Sequence, residues 1–153
     1  MDWRPVPGPV LWGNVVDQAL IFQPMGALVA LTFLVLGFIP FRRFQAAFGG
    51  KVKRDDFKFG ESANVPGHVS IPNRNYMNLL ELPLLFYVLC LTLFVSERVT
   101  EIQLYLAWAY VALRALHSLV HLTFNHVLVR LIFFALSNLV LITMWVMFFF
   151  GPR

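Results

Sequence analysis

Arg74, Asn78 and Glu81 are spaced so that, at about 100° per residue, they fall within roughly 60° of arc on one helical face. They stand where a polar segment runs into a long apolar one, so the helix that carries them takes a polar stripe into hydrocarbon. A carboxylate placed there costs a few kcal/mol, about 2.5–3.5, unless it meets protein, water or an opposite charge. A second stripe follows at Arg114, His117 and His121, again within roughly 60° of arc, and Arg130 lies shortly beyond. Counting rise along antiparallel helices puts Glu81 and Arg114 at comparable depth, which predicts an ion pair between them. Cations, an amide and a carboxylate at one depth are what a preorganised anion pocket needs. Simpler readings stand beside this one. A lone Glu81–Arg114 pair serves equally as a device that fixes helix register, and Arg74 or Arg130 near a helix end can extend to lipid headgroups. Snorkelling, however, does not require five polar side chains on facing stripes.

A metal site is not expected. His117 and His121 at i, i+4 with His126 nearby suggest one, but the chain has four histidines, one of them His68 in a distant loop. Cys90 is the single cysteine and falls within an apolar run, where a buried thiol acting as a small hydrophobe is expected. No phosphate-binding loop, dinucleotide fingerprint, nucleophile elbow or zinc-protease motif occurs.

The elements that must position these residues are apolar helices. Of 153 residues, 59% are hydrophobic and 13% charged, which excludes an ordinary soluble domain and predicts a single integral membrane domain over 1–153. Four membrane-spanning helices are expected at about 18–41, 76–95, 102–121 and 127–150, with Asn125 capping the last. Residues 1–17 read as an interfacial lead-in with Trp3 and Trp12 at headgroup level, and no cleavable signal pattern opens the chain, so the first span is expected to be retained. The connection 42–75 holds seven of the twelve basic residues, namely Arg42, Arg43, Lys51, Lys53, Arg54, Lys58 and Arg74. Such a cluster beside apolar spans indicates a cytoplasmic loop rather than nucleic-acid binding, and puts both termini on the non-cytoplasmic side.

Arg74, Asn78 and Glu81 followed closely by a proline resemble the second-helix signature of the membrane-associated proteins in eicosanoid and glutathione metabolism, the MAPEG family. The run from Arg114 through His117 and His121 to Arg130 is similar to that family's third helix and the start of its fourth. Pro83 comes two residues after Glu81, where members commonly have it three after, and His121 stands where they commonly have tyrosine. The resemblance covers about residues 20–150. It implies a homotrimer of four-helix bundles with sites between subunits, and glutathione as cofactor. Arg74, Asn78, Glu81, Arg114, His117 and His121 match ligand-holding positions, and Arg42 or Arg43 matches an arginine that reaches in from the adjacent subunit. Arg130 matches the catalytic arginine that stabilises the thiolate. The chemistry is sound, since a thiol of pKa about 8.5 becomes a nucleophile near neutrality beside a cation, and arginine stays charged to act as one.

The expected activity is therefore that of a glutathione-dependent transferase or peroxidase acting on lipophilic electrophiles or lipid hydroperoxides in contact with membrane lipids. A bacterial inner membrane is the expected location, with the site open to the cytoplasm. The alternative from another class is a non-catalytic membrane protein whose polar pocket holds a lipid headgroup or another anion.

Overall fold

A computed structural model describes residues 16–151, so the expected placement of Trp3 and Trp12 lies outside the described residues. The described residues form five α-helices, α1 (Phe22–Phe48), α2 (Gly67–Leu80), α3 (Pro83–Val95), α4 (Glu101–Leu122) and α5 (Val127–Phe150). A single 3-10 turn, Gln18–Ile21, leads into α1, and Asp17 caps it by accepting from the Ala19 N–H at 3.0 Å. Gln18 then ties this end of α1 to the turn before α4. Its Nε2 donates to the Val99 carbonyl at 3.2 Å, and its Oε1 accepts from the Val99 N–H at 2.8 Å.

The first helix runs past the stop expected at residue 41. Pro40 removes the N–H that would serve the Leu36 carbonyl, but one missing bond does not end a helix whose continuation is anchored by side-chain contacts. Here Ala46 is buried against Val52, Val65 and Val69, a small second core between the end of α1, the loop and the start of α2. The helix stops at Gly49–Gly50. Gly50 has φ +66°, a left-handed conformation in which a Cβ is disfavoured, and the N–H of Lys51 closes onto the Ala46 carbonyl at 2.9 Å. The connection is thus shorter than the expected 42–75, and Arg42, Arg43 and Arg74 are all helical.

The second apolar segment differs from expectation in continuity. Instead of one helix over 76–95, α2 begins at Gly67 and ends at Leu80, Glu81 turns away with ψ −93°, and α3 restarts at Pro83. Proline accounts for the break. It offers no N–H to the Leu79 carbonyl and disfavours helical geometry in the residue before it. At the other end of α4, Asn125 adopts φ +46° and the capping residue is His126, whose Nδ1 accepts from the Val129 N–H at 3.5 Å, in place of the expected Asn125.

Three helical segments, Gln18–Phe48, Gly67–Val95 and Val127–Phe150, are long and apolar enough to cross a membrane. Helix α4 has the length, about 33 Å at 1.5 Å per residue, but carries Glu101, Gln103, Arg114 and two histidines. It packs as an antiparallel hairpin on α5 and also contacts α1 and α2, while α1 lies along α2 and α3 touches α5. The interior holds Leu28, Leu79, Phe86, Leu89, Tyr110 and Met144, with Phe86 stacked on Tyr110 at 4.6 Å between ring centroids. Cys90 is buried there, as expected. Outward faces are equally greasy, Phe33 and Leu34 being 67% and 69% exposed, which suits hydrocarbon and would be untenable in water.

Candidate functional site

The buried face of α4 carries Tyr110, Arg114, His117, Ser118 and His121, and the structure divides the expected site residues between this face and the outside of the bundle. Arg114 is completely buried. Its Nε donates to the Tyr110 hydroxyl at 3.2 Å, and its Nη2 donates to Asn138 Oδ1 on α5 at 3.1 Å. The guanidinium carbon also lies 5.3 Å from the Tyr110 ring centroid and 5.2 Å from that of Phe134, so two π faces share its charge. Nη1 has no partner. The expected ion pair with Glu81 therefore does not form within the chain. Glu81 caps the broken end of α2 and is exposed, and among the described residues it makes no ion pair.

The reason lies in the phase of α2. Asn75 and Leu79 are its buried residues at this level, about one residue's rotation, or roughly 100°, from the Arg74–Asn78–Glu81 stripe. That stripe consequently faces out of the chain, with Arg74 and Glu81 exposed and Asn78 half-buried. Asn78 turns its amide onto its own helix, donating to the Arg74 carbonyl at 3.1 Å. The inward polar residue is Asn75, whose Oδ1 accepts from the Ser118 hydroxyl at 3.3 Å while its Nδ2 is buried without a partner.

His117 Nδ1 lies 3.0 Å from the Arg130 carbonyl. A carbonyl only accepts, so Nδ1 carries the hydrogen and Nε2, buried and unpartnered, is left as a lone pair. The His117 and His121 rings meet edge to face at 5.8 Å, and His121 Nδ1 is also buried without a partner. Arg130, half-buried in the first turn of α5, donates from Nη1 to Asn125 Oδ1 at 2.8 Å. The carbonyl tie and the ring contact bring His117, His121 and Arg130 together at one end of the α4–α5 hairpin.

Near the end of α1 the two adjacent arginines have different surroundings. Arg43 pairs with Glu61 of the loop at 3.1 Å and lies 4.6 Å from the Phe57 ring centroid, whereas Arg42 makes only a 3.4 Å contact to Gln45 at the surface. Arg42 makes no ion pair among the described residues. Sequence reasoning missed Tyr110, Ser118, Asn138 and Asn75 as members of the polar interior. Asn138 carried a usable signal, since an amide inside a 24-residue apolar helix demands a partner in lipid.

A bundle of long apolar helices, greasy outside and polar in its interior at one end, defines a multi-pass integral membrane protein. The MAPEG family model matches residues 21–150, most of the chain, and the protein belongs to that family. Neither a curated protein nor a solved structure matches it.

Proposed function

We propose that the protein is a glutathione-dependent transferase or peroxidase that acts on lipophilic electrophiles or lipid hydroperoxides. Family membership supports the substrate class, and the observation that carries the reading is Arg130 beside His117, whose Nδ1 bonds the Arg130 carbonyl, with His121 packed on His117. Glutathione carries two carboxylates, an ammonium and a thiol. Arg74 and Arg42 suit the carboxylates, Glu81 and Asn78 suit the ammonium end, and Arg130 suits the thiolate. In the transferase reaction the thiolate attacks an electrophilic carbon, a carbon–sulfur bond forms and the leaving group departs as an anion. In the peroxidase reaction two glutathiones give up two electrons to a hydroperoxide, yielding the disulfide, an alcohol and water.

The same reading takes α4 as a fourth span, since α1, the α2–α3 segment and α5 cross and α4 returns the chain between them. The basic connection 49–66 then lies in the cytoplasm and both termini outside, with the polar cluster opening to the cytoplasmic side of a bacterial inner membrane. It also takes the assembly as a homotrimer. The outward-facing Arg74, Asn78 and Glu81 need a partner in the membrane, and a neighbouring copy bringing Arg42 supplies it.

The test is calorimetric titration of purified protein with glutathione, followed by turnover of chlorodinitrobenzene and of a lipid hydroperoxide. Arg130→Ala is expected to lower turnover about a hundredfold, the usual effect of removing one group that stabilises developing charge. Absence of binding at millimolar glutathione, with turnover indifferent to Arg130→Ala, disposes of the reading.

A second reading is favoured by Arg114, a buried guanidinium with no carboxylate partner among the described residues and one free Nη1. Such a group can hold a lipid headgroup or another anion without any chemistry. An anion that survives purification, that glutathione does not displace and that Arg114→Met releases would favour it.

A further inference from the structure

A separate place in the molecule also combines fixed cations with an apolar wall. Arg43 and Arg54 border a cleft of about 310 Å³ between the end of α1 and the 3-10 turn Arg54–Phe57, with Ile39, Pro40, Phe44 and Phe57 forming the rest of its lining. Among the described residues only one carboxylate, Glu61, pairs with these guanidinium groups, and the Nε of Arg43 is buried without a hydrogen-bond partner there. Of the two acids in this turn, Asp55 is exposed and outside the cleft lining, and Asp56 is already engaged, its Oδ2 accepting from the Lys53 N–H at 2.7 Å and its Oδ1 from the Ser62 hydroxyl at 2.9 Å. The cleft is therefore positive. Its apolar side continues along α1, where Phe41, Phe44 and Phe48 are exposed and the last two stack at 6.5 Å.

We propose that this cleft binds the phosphate of an anionic phospholipid, with Arg43 and Arg54 on the headgroup and the start of an acyl chain against Ile39, Pro40 and Phe44. Charge complementarity selects the class. A zwitterionic headgroup brings a quaternary ammonium towards two arginines, and free phosphate gains nothing from the apolar wall. Bound there, the lipid ties the end of α1 to the loop that folds against it. The site shares neither Arg114 nor Arg130 with the cluster described above, so it stands whether or not glutathione is the cofactor.

The experiment is native mass spectrometry of the purified full chain in detergent, with phosphatidylglycerol, phosphatidylcholine and inorganic phosphate as separate probes. Phosphatidylglycerol is expected to bind more tightly than phosphatidylcholine and to resist millimolar phosphate. Arg54→Gln should weaken it about fivefold, the effect of one basic residue at a lipid surface, while Lys51→Gln leaves it unchanged. Arg43→Gln should weaken it as well, but it also breaks the Glu61 ion pair, so the exposed Arg54 carries the decisive comparison. Equal retention of the two lipids overturns the proposal, as does an indifferent Arg54→Gln. A loss as large in Lys51→Gln reduces it to general surface charge, and full displacement by phosphate makes the ligand a free anion; either result overturns it.

Discussion

At the residue scale the decisive group is Arg114, whose charge is dispersed over a phenol, an amide and two aromatic faces and meets no carboxylate. Such an arrangement is sensitive to the loss of any single partner. Asn138→Ala leaves Nη2 without its acceptor and is expected to destabilise the protein by about 1.5–3 kcal/mol, the range for a hydrogen bond to a charged group. Arg114→Met, which removes the charge together with its needs, should cost less. Detergent unfolding midpoints of the two variants check this, and a silent Asn138→Ala would mean that the guanidinium is satisfied elsewhere. Asp56, in the loop, gives a prediction in pH. The Lys53 backbone N–H and then the Ser62 hydroxyl hold its carboxyl below the ordinary value of 3.8. A depressed carboxylate pKa contributes stability that is present above the unfolded value and lost as pH falls through the folded one. Acidification below about pH 4 should therefore lower the protection of the Lys53 amide against hydrogen exchange, measured relative to the intrinsic rate at each pH. Asp56→Asn should lack that protection at every pH.

Among the elements, the interrupted α2–α3 segment has the largest functional consequence. Pro83 breaks the helix two residues after Glu81, and the break leaves that carboxylate at an exposed helix end rather than midway along a continuous span. Pro83→Ala restores the N–H for the Leu79 carbonyl and should join the two helices, while loss of the ring's restraint on the unfolded chain lowers thermal stability by up to about 1 kcal/mol. The same change rotates Glu81 and should weaken glutathione binding. Calorimetry on the variant reads both effects, and unchanged binding would show that the break has no part in the site. The α4–α5 hairpin is held differently. Its polar ties include His117 to the Arg130 carbonyl and Gln103 Nε2 to the Met144 carbonyl at 3.2 Å, near opposite ends, with Arg114 to Asn138 between them. In lipid, where apolar burial gives little net drive, such ties and close van der Waals contact must fix the pair.

For the whole molecule the question is what covers the polar stripe of α2. Arg74 and Glu81 are exposed on a surface otherwise composed of Leu, Phe and Val. Light scattering of the purified protein is expected to give three chains per particle. Arg74→Ala together with Glu81→Ala should shift that population towards single chains, whereas a particle that is monomeric from the outset would leave the stripe facing lipid and remove the basis for a shared site.

The amino-acid order by itself determined the membrane class, the last two helices nearly to the residue and the family, because apolar run length and the spacing of Arg74, Asn78, Glu81, Arg114, His117, His121 and Arg130 are properties of the chain alone. Spacing also put Arg114, His117 and His121 on one buried face of α4. It could not give the phase of a stripe relative to the rest of the bundle. In water an amphipathic helix announces its inward face by its apolar side, but here the outward faces are as apolar as the interior, so that signal vanishes. Tertiary contacts decided that Asn75 and not Arg74 turns inward, that Arg114 rests on Asn138 and not on Glu81, and that Arg43 closes onto Glu61 while Arg42 stays available. Each choice depends on which neighbouring helix presents an acceptor within reach, and that is fixed only when the helices have packed.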